Sequence, residues 1–191
     1  MSQTISISLQ EVAATAVLAG AAAGVSVQRE ILNSLEARPV EMCCLDFSKI
    51  QCATASFVRE AVFGTRDAIR RSGLPTQLII TNADRTVLEE VLLVARALGT
   101  SIVHAIGNTP AKLSRPMVLG PLDEAQRETL DLVLKLGEAT ATELTAENPA
   151  VKPTAWNNRL TSLVGRGVLA ESRRERHKVY RPVLKGLTYG G

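Results

Sequence analysis

Trp156–Val183, WNNRLTSLVGRGVLAESRRERHKVYRPV, decides how the last third of this chain folds. Trp156, Leu160, Leu163 and Val164 share one side of a helix at about 100° per residue, an apolar stripe meant for burial. Gly165-Arg166-Gly167 closes that pattern. Two short runs, VLAES and HKVYRPV, then flank a cluster of Arg173, Arg174, Arg176, His177 and Lys178 interrupted only by Glu175. Short apolar runs on either side of a charged tip form an antiparallel ribbon. The expectation is a helix from Pro153 to about Val164, followed by a two-stranded wing.

Upstream of that helix the signals continue. DEAQRETLDLVLKLG places acids in its first turn and ends on Lys135 and Gly137, as a helix does. TATELTAEN carries Thr140 and Glu143 at capping-box spacing. Helix, short helix, helix and ribbon is the order of a winged helix-turn-helix, and residues 122–191 resemble that family. The resemblance implies that the third helix enters the major groove of duplex DNA. Its polar arc carries Thr154, Asn157, Asn158 and Thr161, short side chains that can reach base edges. Arg173, Arg174, Arg176 and Lys178 at the ribbon tip are then the phosphate contacts. Lys152 to the C-terminus holds nine Lys or Arg against two acids, while Gly120–Val151 holds two against seven. Charge sorted this way suits one edge facing a polyanion. Regulators of this class bind as two-fold pairs, so a homodimer is implied.

Residues 107–121, GNTPAKLSRPMVLGP, hold three prolines and no period, and are expected to be a linker. Before it, residues 1–106 alternate strand and helix patterns: TISISL, a helix to Ala37 ended by Arg38-Pro39, VEMCCLDF, a helix to Gly73, TQLIIT, a helix from Asp84 to Gly99, and SIVHAI. The apolar residues on both faces of VEMCCLDF mark a central strand. In the helix to Gly73, Phe57, Ala61 and Ile69 are expected inward and Arg59, Arg66 and Arg70 outward. The fold class is therefore an α/β domain with a mixed sheet, followed by a small α+β domain.

The first half resembles STAS-like proteins, relatives of bacterial anti-sigma-factor antagonists. Leu45, Asp46, Phe47, Ser48, Ile50, Ser56, Phe57 and Glu60 carry the resemblance, which extends over about 105 residues. It implies a sensing or docking domain with a regulatory protein partner. It also points to Ser56 or Thr54 as a phosphoacceptor, although the acid and glycine of the family's phosphorylated turn are missing. Helix capping is the competing role for both hydroxyls. The alternative for the whole chain is a protein-interaction module of a partner-switching system, its winged helix docking protein.

Other functions find little support. There is no Gly-x-Gly-x-x-Gly and no Walker lysine, and Gly20–Gly24 (GAAAG) reads as a turn or helix contact. His104 sits on an apolar strand and reads as a core histidine. Cys43 and Cys44 are strand neighbours on opposite faces, and with Cys52 they read as free thiols without metal-ligand spacing. No cofactor, metal or catalytic residue is expected. VAATAVLAGAAAGVSV is too short and too rich in Ala and Gly to span a membrane and reads as buried helix and turn, which makes the chain cytoplasmic.

Overall fold

In the computed structural model, which describes residues 3–38, 40–107, 109 and 112–189, one sheet runs through both halves of the chain. Thr4–Ser8 (β1) leads through a short helix, Leu9–Ala13 (α1), and a two-residue strand, Val17–Leu18 (β2), into Ala21–Ala37 (α2). Met42–Asp46 (β3) and Cys52–Ala53 (β4) come next. A continuous helical stretch then comprises Ala55–Val58 (α3), a π-helical segment Arg59–Gly64, and Thr65–Ser72 (α4). Gln77–Thr81 (β5), Arg85–Ala97 (α5), Ile102–Ile106 (β6) and Ser114–Leu119 (β7) complete the first half. Glu124–Leu136 (α6), Ala141–Glu147 (α7), Pro153–Gly165 (α8), Leu169–Arg174 (β8), His177–Pro182 (β9) and Thr188–Tyr189 (β10) form the second.

The main sheet has the order β1-β3-β5-β6-β7-β10. β1, β3, β5 and β6 are parallel, β7 is antiparallel to β6, and β10 is parallel to β7. It is a mixed α/β sheet, as expected. β2 pairs with β4, and β8 with β9, in two separate ribbons.

Side-chain alternation explains the layering. Cys43, Leu45, Leu78, Ile80, Ile102 and Leu119 join one apolar core with α2, the α3–α4 stretch and α5. Cys44, Ile79, Val103 and Val118 join a second core with Leu130, Val133, Trp156, Leu160, Leu163, Tyr180 and Leu187. The C-terminal helices and ribbon thus close the face of the sheet that the N-terminal helices leave open. Burial pushes the Cys43 thiol up, with Cys44 adding to it; Cys44 is pushed up to about 11 by burial and by Asp46. Both are free and buried on opposite faces.

Several expectations need correction. The stretch 107–121 contains a strand: β7 pairs with β6, and its register shifts between His104 and Ile106. Gly120, at φ 104°, lies so close to the Thr100 carbonyl that no larger residue fits, so the chain here is packed against its neighbours. Asn108, Pro110 and Ala111 of that stretch lie outside the described residues, as does Pro39. VAATAVLAGAAAGVSV is interrupted by β2, and its Val17 and Val25 are exposed. Arg66 is buried, where an outward position was expected. Gly24 is a helix contact: a Cβ there would come within 2.9 Å of the Phe57 carbonyl oxygen, so α2 lies directly on the α3–π stretch.

Candidate nucleic-acid interface

α8 begins with Pro153 in its first turn, where a missing N–H costs nothing. Trp156, Leu160 and Leu163 are fully buried on its inner side. Thr154, Asn157, Asn158 and Thr161 are all exposed along its outer side, and the helix contains no acidic residue. The neighbouring helices are held by local chemistry. Asp123 and Gln126 form a capping box on α6, and Thr140 and Glu143 form one on α7. Hydrogen bonds from the Thr140 backbone N–H and its side chain hold the Glu143 carboxyl below the usual range. Gln126 also donates from Nε2 to Ser162 Oγ at 3.0 Å, tying α6 to α8.

After α8 the chain enters β8, and Arg173 pairs with Lys178 and Arg174 with His177 at the ribbon tip. An isolated bridge joins Ala139, between α6 and α7, to Tyr180 of β9. All four tip cations chosen from the sequence are exposed. Two of them are paired within the chain. Arg174 Nη2 lies 2.6 Å from Glu138 Oε1, and Lys178 Nζ lies 2.9 Å from Glu171 Oε1. The hydrogen bond to Glu171 raises the Lys178 ammonium. Arg173 and Arg176 have no ion-pair partner among the described residues. The tip therefore offers two unpaired guanidinium groups and two cations shared with carboxylates.

Asn158 and Thr161 have neighbours that the sequence pattern did not disclose. They line a cleft of about 830 Å³ between α8 and α4, together with Ser162, Gly165, Arg166, Arg66, Asp67, Arg70, Arg71, Leu98, Gly99 and Thr100. Three of the four arginines of the lining come from α4 and the fourth, Arg166, follows α8, so the sequence does not announce that they face one another. The Arg70-Arg71 doublet was the only sequence signal, and it reads simply as the cationic last turn of a helix.

The N-terminal candidates lie elsewhere. Thr54 caps α3, accepting from Phe57 N at 3.4 Å and from Gly20 N at 3.1 Å, and its Oγ1 is 3.1 Å from Ser56 Oγ. Asp46 accepts from Ser48 N, Ser48 Oγ and Asn82 Nδ2, and Asn82 exchanges hydrogen bonds with Gly107. These contacts knit together the loops at the carboxyl ends of β3, β5 and β6. His104 is buried, and burial lowers its pKa; its Nε2 has no partner among the described residues. Among the described residues, no group of three or more His, Cys, Asp or Glu could hold a metal ion, and no helix is long and apolar enough to cross a membrane.

No family model matches the chain, and no curated protein matches it in sequence.

Proposed function

We propose that this protein is a DNA-binding transcriptional regulator in which α6, α7, α8 and the β8–β9 ribbon act as a winged helix and the N-terminal α/β half is a STAS-like sensing or docking unit. The observation that carries this reading is the outer side of α8. It presents two asparagines and two threonines, exposed and free of carboxylates, on a helix anchored by Trp156, Leu160 and Leu163. Asparagine can bridge N6 and N7 of adenine, and threonine can bond several bases or touch the thymine methyl. The Ala139–Tyr180 bridge ties the α6–α7 turn to the ribbon. Arg173 and Arg176 supply cations for phosphate at the ribbon tip, and a two-fold pair of chains would place two such helices on one duplex.

In this reading Asn157, Asn158, Thr154 and Thr161 read bases, and Arg173, Arg174, Arg176 and Lys178 hold phosphates. The second reading, a winged helix that docks protein, draws on the Arg174–Glu138 and Lys178–Glu171 pairs, which reduce the free charge at the tip. Selection of preferred duplexes from a random pool, followed by Asn158→Ala, separates the two. A base reader loses about 1–3 kcal/mol of discrimination at one position of the selected site. A pool that yields no preferred sequence, with a chain that does not bind bulk duplex, supports the protein-docking reading.

A further inference from the structure

The cleft between α4 and α8 is lined by four arginines and one carboxylate, Asp67. Two of the arginines are structural. Arg66 donates to Asp67, to Thr100 Oγ1 at 2.9 Å and to the Ser101 carbonyl at 2.9 Å, and its guanidinium stacks over Phe63. Arg166 donates to the carbonyls of Gly99 at 3.0 Å and Pro121 at 3.2 Å. Both bonds come from Nη1, and neutral carbonyls leave its positive charge uncancelled. Arg70 and Arg71 are different: both are exposed, and neither has an ion-pair partner among the described residues.

The two walls complement each other. Arg70 reaches across to α8, where a Cβ on Gly165 would touch its guanidinium at 3.5 Å. On that wall Ser162 offers a short hydroxyl of the kind that accompanies arginine on phosphate oxygens, while Asn158 and Thr161, the base readers of the proposal above, carry no charge that would repel a phosphate beside them. Cations in the last turn of α4 complement its C-terminal carbonyls. That role accounts for the doublet alone, and it does not account for a facing wall on α8 that carries no acid. Concave surfaces lined by one sign of charge concentrate the opposite sign.

The shape selects among anions. Sites for small ligands enclose most of the ligand and are largely apolar. This cleft is open to solvent, has no aromatic residue in its lining, and has Leu98 as its one large apolar side chain. It offers no surface on which a base could stack, and its exposed Arg70 and Arg71 guanidinium groups are open to phosphate.

Building on the DNA-binding reading of α8, we propose that the α4–α8 cleft seats the phosphodiester backbone flanking the groove that α8 enters, with Arg70 and Arg71 as its phosphate contacts. The N-terminal half is then part of the DNA interface. Because Arg66 and Arg166 both tie the α5–β6 turn to the cleft walls, any movement of α4 alters the seat directly.

The test is the salt dependence of duplex binding by the full chain, measured by fluorescence anisotropy for wild type, R70Q/R71Q, R70K/R71K and R173Q/R176Q, with thermal melts as a check on folding. Loss of two phosphate contacts makes the slope of log K against log salt shallower by about 2. R70Q/R71Q shows that change and weakens binding to all sequences alike, while R70K/R71K retains the wild-type slope. An unchanged slope in R70Q/R71Q, with a shallower one in R173Q/R176Q, overturns the cleft assignment and leaves the reading of α8 standing. A wild-type chain that does not bind duplex overturns both. A second arm adds sodium pyrophosphate without DNA. If pyrophosphate raises the melting temperature of wild type and not of R70Q/R71Q, while duplex affinity is equal in the two, the cleft takes a small phosphorylated compound and the backbone assignment fails.

Discussion

The ribbon tip, which lies against the start of α7, and the α4–α8 cleft are two cationic regions that differ in how their charge is held. At the tip Arg173, Arg174, Arg176 and Lys178 crowd into six residues, yet Glu138 and Glu171 each engage one of them. In the cleft three arginines come from residues 66–71 and a fourth, Arg166, from the end of α8, and together they face a single carboxylate. Density along the sequence is therefore a poor measure of the charge available in the fold. Availability depends on which acids the tertiary structure brings close and on whether the remaining cations look into one shared space.

The largest expected effect abolishes both regions together. Trp156 is fully buried on α8, and Arg159 stacks over its ring at 4.9 Å. Trp156→Ala should cost about 3–5 kcal/mol in chemical denaturation and remove DNA binding through loss of the helix. Gly24→Ala, on the far side of the sheet, is the control. Its Cβ meets backbone at 2.9 Å, so about 1–3 kcal/mol should be lost while the salt slope of binding stays that of wild type.

Smaller changes sharpen the contrast between the two regions. Glu138→Gln with Glu171→Gln releases Arg174 and Lys178, and duplex affinity should rise a few-fold with a steeper salt dependence. If the affinity stays flat, the paired cations already reach phosphate or never do, and the tip contributes only Arg173 and Arg176. Exposed ion pairs of this kind add little to stability, so the melting temperature should barely move.

The smallest effect concerns pH. Burial depresses the folded-state pKa of His104 below its ordinary 6.5, so the unfolded chain takes up a proton that the folded chain refuses. The resulting stability is present above pH 6.5 and is lost as the pH falls below it. The melting temperature should drop on acidification, and by less in His104→Leu. Binding measured below that pH would otherwise confuse loss of fold with loss of contact.

Much of the fold was legible because its signals are local. Asp84 and Thr140 cap helices where the spacing placed them, Asp123, read as a first-turn acid, is the cap of α6, and the apolar stripe of α8 is buried. The two-faced pattern of VEMCCLDF required a cover for the second face, and nothing in the sequence said that the C-terminal helices would provide it. β7 was hidden by Pro116 and by a register shift at Arg115–Pro116, which break the alternation a strand normally displays. β10 has two residues, too few for any period. Arg66 was placed outward by a regular 3.6-residue count. The π-helical segment Arg59–Gly64 inserts extra residues into the turn, rotates α4 relative to α3 and carries Arg66 inward. The cleft escaped because it exists only where two distant elements meet.

Wild-type affinity for a short duplex, measured from low to physiological salt, tests the DNA-binding role most directly. With Arg70, Arg71, Arg173 and Arg176 free for phosphate and Arg174 and Lys178 shared with Glu138 and Glu171, log K should fall linearly with log salt at a slope between about −4 and −5. Absence of binding at low salt, or an affinity indifferent to salt, would contradict it.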